Sequence, residues 1–199
     1  MKILQYLFIS LSHKIIKLLP YTSIRILSVP IGTLYFLLTF RSSLKLFKRK
    51  DIFNELKIKY RPLIVKINYT RYWLETLWLT NKNFSKYITP HVEIENLEYV
   101  EKLKKQYPGL IFALPHLGNW EFAIPIGNSI KLNLLAVAEP LNNSYVLNWF
   151  KSLRESLGIE IIIGGKGQNT FDLLVNKLKS GKDICCLLYT SDAADERSS

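Results

Sequence analysis

From about residue 91 onward, short apolar runs alternate with segments of helical periodicity, and no other feature of the sequence constrains the fold as strongly. The runs at 110–114, 132–138, 159–163 and 184–188 have the length and composition of strands. Between them lie a short helix starting at Trp120, a helix over 144–157 capped by Ser144 and stopped by Gly158, and a helix over 170–180 ended by Gly181. A short strand at 92–95 and a helix from Asn96, a suitable cap, to about Tyr107 precede them, closed by Pro108-Gly109. Strands that alternate with helices build βαβ units. The expected fold is therefore α/β with a largely parallel sheet and flanking helices.

The preceding part has a different texture. Residues 1 to about 85 read as helices: Leu4, Leu7, Phe8, Leu11, Ile15, Leu18 and Leu19 recur at helical spacing with lysines between them. Pro62 opens a second strong helix, at a position where proline is favoured. The stretch 81–90 is polar and turn-like. These textures divide the chain into an amphipathic, interfacial helical region (1–90), an α/β core (91–185) and a short tail (186–199).

Charge narrows the class of partner. Lys and Arg outnumber Asp and Glu by 27 to 16, a formal +11. Before residue 90 the acids are Asp51, Glu55 and Glu75 alone. A basic region that is also rich in Leu, Ile, Phe and Tyr fits a membrane surface better than nucleic acid, whose basic arms are poor in large aliphatics. No nucleic-acid recognition motif accompanies the charge. Residues 3–11 are apolar, but His13, Lys14 and Lys17 follow and no small-residue cleavage site is evident, which argues against a signal peptide. The uncharged run 26–40 falls short of the roughly 20 residues of a spanning helix, and Pro30 and Gly32 interrupt it. An interfacial or re-entrant segment is expected, with a buried core helix as the alternative. Adjacent Cys185 and Cys186 exclude a disulfide framework, and His13, His91 and His116 have no metal-ligand spacing, so no metal site is expected.

The residues that carry chemistry are 115–121, Pro-His-Leu-Gly-Asn-Trp-Glu. On a continuous helix His116 and Glu121 would lie about 140° apart and could not readily meet. The sequence instead places His116 directly after an apolar strand. Gly118 permits a tight turn, Asn119 is a good cap, and Glu121 falls in the first turn of the next helix. Such a strand-turn-helix can return the carboxylate toward the imidazole and aims a helix N-terminus at the site. The helix dipole disfavours the imidazolium and keeps the histidine a neutral base near pH 7. A base with an orienting carboxylate is the arrangement that activates a hydroxyl. A purely structural His beside a Glu cap is the alternative.

In this context His116-x4-Glu121 resembles the His-x4-Asp/Glu motif of the lysophospholipid acyltransferase superfamily, and more closely the lipid A biosynthesis acyltransferases and the related phosphatidylinositol mannoside acyltransferases. Three further blocks carry the resemblance in order: Arg71-Tyr72-Trp73-Leu74-Glu75, Ala136-Val137-Ala138-Glu139 and Arg154-Glu155-Ser156-Leu157-Gly158. The last, with Tyr72 to Glu75, is most similar to the mannoside branch. The resemblance implies transfer of a fatty acyl group from acyl-CoA, or acyl carrier protein, to a glycolipid hydroxyl at the cytoplasmic face of the plasma membrane, with no cofactor beyond the acyl donor. It implies His116 and Glu121 as catalytic residues, and Glu139, Arg154 and Asn119 as substrate-binding residues. Phosphatidylinositol mannoside is the expected acceptor. A lauroyl-type transfer to a lipid A precursor and a non-catalytic membrane-binding protein on the same fold are the alternatives. Structural roles stand beside these: Glu139 can cap the next turn, Arg154 can form an exposed helix pair with Glu155, and Arg71 can pair with Glu75 one helical turn away.

Gly164-Gly165-Lys166-Gly167 lacks the Gly-Lys-Ser/Thr ending and spacing of a phosphate loop and reads as a strand-to-helix connection. Two departures from the resemblance stand out. Pro140 occupies a position where relatives carry a basic residue, and residues 186–197 read like a translated sequencing adapter. The sheet is therefore expected to be incomplete at the C-terminus, a natural disordered end being the alternative.

Overall fold

The computed structural model describes residues 1–41, 61–115, 117–164 and 169–188. Its contacts form two units, one of Ser12–Asn81 and one of Met1–Leu11 with the residues from Lys82 on. Among the described residues eight α-helices and four strands follow in the order α1 (Lys2–Ile16), α2 (Tyr21–Leu38), α3 (Arg61–Trp78), α4 (Phe84–Ile88), α5 (Leu97–Gln106), β1 (Ile111–Pro115), α6 (Ala123–Ser129), β2 (Leu134–Ala138), α7 (Ser144–Ser156), β3 (Glu160–Ile163), α8 (Thr170–Lys179) and β4 (Asp183–Leu188). The expected α/β architecture with a parallel sheet is present.

In the helical unit, Ile24, Ser28 and Gly32 recur at four-residue spacing and form the buried face of α2. Gly32 lies against the α3 backbone: a Cβ there would stand 2.6 Å from Ile67 Cα. Pro30 and Gly32 do not interrupt α2, contrary to expectation, and the helix begins earlier than the uncharged run because it accommodates Arg25. Pro30 sits on the exposed side, where the missing N–H is cheapest to lose, and Gly32 is retained for the close approach. The turn between α1 and α2 leaves carbonyls that helix bonds cannot satisfy. Side chains at and just beyond the end of α3 satisfy them. Trp78 Nε1 donates to Leu19 O at 2.8 Å, and Asn81 Nδ2 donates to Lys17 O at 2.6 Å. Glu75, buried, accepts from Tyr21 Oη at 3.1 Å. Burial, reinforced by this carboxylate, raises the Tyr21 pKa.

Gly32→Ala is expected to destabilise this unit. Alanine gains about 1 kcal/mol in helix propensity, but overpacking costs about 1–3 kcal/mol, and the obstructing atom is backbone that no rotamer change can move. A lowered thermal midpoint checks this; an unchanged or raised one would show that α2 and α3 can separate at no cost.

The α/β unit holds one sheet of order β1-β4-β2-β3, parallel throughout. Ile124, Leu134, Ile159 and Ile161 form its buried cluster, with Leu132, Ala136 and Leu157 packed around them. Burial of each such side chain contributes about 1.5–3 kcal/mol. Right-handed crossovers require α6 and α7, which both carry the chain toward β3, to lie on one face of the sheet, and α8, which carries it back, to lie on the other. At the N-terminal edge, Asp183 is wholly buried. Its carboxylate accepts from Leu110 N at 3.0 Å, Asn133 N at 2.8 Å and Lys104 Nζ at 2.8 Å. One side chain thus fastens the starts of β1, β4 and β2 together. On β3, a hydrogen bond from Lys177, joined by Lys182, holds the Glu160 carboxyl below its ordinary pKa.

Several local expectations differ from the structure. Residues 92–95 form no strand: Glu93, Ile94 and Glu95 are exposed, and no neighbouring strand among the described residues supplies a ladder. The polar stretch 81–90 contains α4, because Phe84 and Ile88, one helical turn apart, are both buried. Asn96 precedes α5 but makes no side-chain cap; it takes the left-handed conformation, φ 57°, that asparagine tolerates. Asn143, not Ser144, caps α7, its Oδ1 accepting from Tyr145 N and Val146 N. Of the glycine-rich connection, only Gly164 lies among the described residues.

Candidate active site

β1 delivers the chain to the C-terminal edge of the sheet at Pro115. His116 lies outside the described residues; the turn that follows it does not. Leu117 N donates to Pro115 O at 2.8 Å, and Gly118 adopts φ +60°. A Cβ on Gly118 would meet nothing within 4 Å, so glycine is needed there for its backbone conformation alone. Asn119 Oδ1 accepts from Glu121 N at 3.2 Å and caps the 3₁₀ turn Trp120–Phe122, which runs into α6. The Phe122 ring packs on Phe84 of α4, centroids 5.7 Å apart. A strand end, a glycine turn and a capped helix start are thus all present.

Glu121 is 1% exposed, and its carboxylate meets Arg154 of α7. Arg154 Nη2 donates to Oε1 at 2.6 Å, and Nε lies 3.2 Å from both carboxylate oxygens. The Arg154 side chain is 18% exposed, and its guanidinium is flanked by aromatic rings: its carbon lies 5.0 Å from the Trp120 centroid and 5.7 Å from that of Phe150. A buried carboxylate persists as an ion only when paired and hydrogen-bonded, and the planar fork of arginine meets both requirements. The exposed Arg154-Glu155 helix pair does not describe this arrangement: Glu155 faces Lys151 at 3.7 Å, while Arg154 turns inward to Glu121. Sequence reasoning missed the partnership because 33 residues separate the two. The aromatic at Phe150, one helical turn before Arg154, was the available signal.

The remaining candidates are placed by the sheet. Glu139 is exposed and directly follows β2. Because Ala136 aligns with Cys185 and Pro115 with Leu188, continuing the register brings Glu139 level with Pro115. β4 lies between their strands, so about 10 Å separates them at ordinary strand spacing. That separation can hold a substrate between the two chain ends, at the edge where parallel sheets bind ligands. Burial pushes the Cys185 thiol up to about 11, so it is no thiolate nucleophile near neutral pH.

Comparison with known proteins shows the family. The family described as bacterial lipid A biosynthesis acyltransferase matches residues 2–199. The chain is similar to the phosphatidylinositol mannoside acyltransferase of Mycobacterium tuberculosis (strain CDC 1551 / Oshkosh), 29% identical over 123 residues, which is 60% of this chain and 39% of that protein. It is similar also to that of Mycolicibacterium smegmatis, 27% identical over 124 residues, 60% of this chain and 40% of that protein. The match thus spans about two fifths of the length of these relatives. The strand end, the glycine turn and the buried Glu121–Arg154 pair accompany a family match that runs along essentially the whole sequence, and the chain belongs to the bacterial lipid A biosynthesis acyltransferase family.

Proposed function

We propose that the protein is a membrane-associated acyltransferase that moves a fatty acyl group from acyl-CoA or acyl carrier protein to a hydroxyl of a glycolipid, a phosphatidylinositol mannoside in the first instance. The observation that carries the reading is the buried ion pair between Glu121, just after the Gly118 turn, and Arg154 of α7. In the proposed reaction His116 takes the proton of the acceptor hydroxyl as its oxygen attacks the thioester carbonyl. The tetrahedral intermediate then collapses, the ester forms, the carbon–sulfur bond breaks, and the leaving thiolate takes the proton back from His116. Glu121, paired with Arg154, stabilises the imidazolium formed between these steps. Asn119 shapes the turn, and Glu139 faces the acceptor from the other side of the edge.

The similarity to mannoside acyltransferases favours that acceptor; the family description keeps a lipid A precursor as the second reading. Membrane association draws support from α2, which is long and apolar enough to cross a membrane by length and composition. At about 1.5 Å per residue its 18 residues reach about 27 Å. That is slightly less than the hydrocarbon thickness of about 30 Å, and one face is occupied by α3, so α2 fits an interfacial position better than a spanning one. The plasma membrane's cytoplasmic face, where acyl-CoA and acyl carrier protein are available, is the proposed location.

His116→Ala is expected to lower the rate of acyl transfer at least about a hundredfold, as loss of a general base does. Purified wild type and variant are compared with a radiolabelled acyl donor against both acceptor classes. Turnover in the variant equal to wild type would sink the assignment, and vesicle binding without any turnover in the wild type would identify a non-catalytic protein on this fold.

A further inference from the structure

The helical unit holds a side chain that neither its packing nor the proposed reaction accounts for. The Nε atom of Arg71, in α3, is buried and has no hydrogen-bond partner among the described residues. The pairing with Glu75, one helical turn away, is not made: among the described residues no ion pair joins the two, and Glu75 accepts from Tyr21 Oη at 3.1 Å. No second acid is at hand, because Glu75 is the sole Asp or Glu among the described residues of Ser12–Asn81. Buried donors are nearly always paired, since taking one out of water without an acceptor is costly.

A second arginine stands beside it. Gly32 lies against Ile67, and the Tyr21 ring lies against that of Trp78 with centroids 5.1 Å apart, so α2 and α3 run antiparallel. Arg25 comes one turn after Tyr21, and Arg71 comes one turn before Glu75. The same step along each helix carries the facing pair Tyr21–Glu75 to the facing pair Arg25–Arg71. Both guanidiniums are near enough to Tyr21 to oppose the rise in its pKa. Arg25 is exposed and Arg71 half-buried, so a ligand can reach the two from solvent.

We propose that Arg25 and Arg71 form a binding site for a phosphate ester, carried by a lipid headgroup or by coenzyme A, with Arg71 Nε as its buried donor. Two guanidinium charges against the one Glu75 carboxylate leave a positive charge for the ligand to neutralise. Phosphate suits the pair better than a carboxylate does, because its oxygens are numerous enough to accept from two planar forks at once. The site goes beyond the proposed reaction, in which neither arginine takes part, and relies on it only for the choice of probes.

The test uses the whole chain and follows the magnetic resonance signal of the Arg71 Nε–H group, which burial shields from exchange with water. Glycerophosphoinositol, coenzyme A and uncharged inositol are titrated in turn, and no acyl group is transferred, so this site and the proposed reaction can fail separately. A saturable shift with glycerophosphoinositol or with coenzyme A, and none with inositol, is expected; the tighter probe identifies the source of the phosphate. Arg71→Lys and Arg25→Gln are each expected to weaken binding at least about tenfold with the circular dichroism unchanged, as loss of charge-assisted hydrogen bonds does. The lysine fails because an ammonium cannot replace the two-pronged fork. Arg25 is exposed, so its variant tests the site even where a change at Arg71 disturbs folding. No saturable shift with either phosphate probe, or undiminished affinity in Arg25→Gln, would overturn the proposal. So would a shift that potassium chloride at matched ionic strength reproduces, which would mark a general response to charge.

Discussion

Arg154→Ala is expected to destabilise the α/β unit by about 3–5 kcal/mol, the usual consequence of removing one partner of a buried ion pair. Glu121 is 1% exposed, so its carboxylate would lose the guanidinium with little access to water in exchange. The truncation also removes the group that fills the space beside Trp120 and Phe150. Denaturant titration measures the loss; a change below about 1 kcal/mol, as for an exposed ion pair, would show that the pair contributes no more than a surface one. Arg154→Lys is not expected to rescue, because an ammonium lacks the two-pronged donor geometry. Glu121→Leu combined with Arg154→Met removes both charges and is expected to recover most of the stability. Under the proposed function this double variant should be stable yet poor in acyl transfer, which separates the two roles of the pair.

The second large effect is expected at the opposite edge of the sheet. Asp183→Ala would leave the backbone donors of Leu110 and Asn133 unpaired and release Lys104, for a loss of about 3–5 kcal/mol. The local readout is hydrogen exchange at the Leu110 and Asn133 amides, which should quicken well beyond the global change. Asp183→Asn is expected to recover part of the loss: its single carbonyl oxygen can accept from one of these donors, but its NH2 group then faces the other. Wild-type exchange at both amides in the alanine variant would show that the carboxylate does not fasten the strand starts.

Much of this architecture is legible in the sequence, for local reasons. The apolar runs became β1 to β4 because each is bounded by turn residues and too short to form a helix of its own. Gly118 and Asn119 signalled the turn after β1 because a left-handed φ and a helix cap are properties of single residues and their nearest neighbours. Local rules failed where a distant partner was decisive. Residues 92–95 alternate like a strand but have no ladder to join among the described residues. Phe84 and Ile88 form a helix inside a polar stretch because the fold buries them. Asp183 looked like the residue before a strand, and nothing nearby disclosed that it would accept from Leu110 and Asn133.

The sequence by itself determined the alternation of β1 to β4 with helices, and the glycine turn and cap that follow β1. These features depend on interactions that span a few residues. Only the tertiary structure decided that β4 lies between β1 and β2, that Glu139 stands two strands from Pro115, and that the partner of Glu121 is Arg154. Crossover handedness puts α6 and α7 on the same face of the sheet. Packing of that face then buries Glu121, and the guanidinium of Arg154 from the neighbouring helix pairs with its carboxylate.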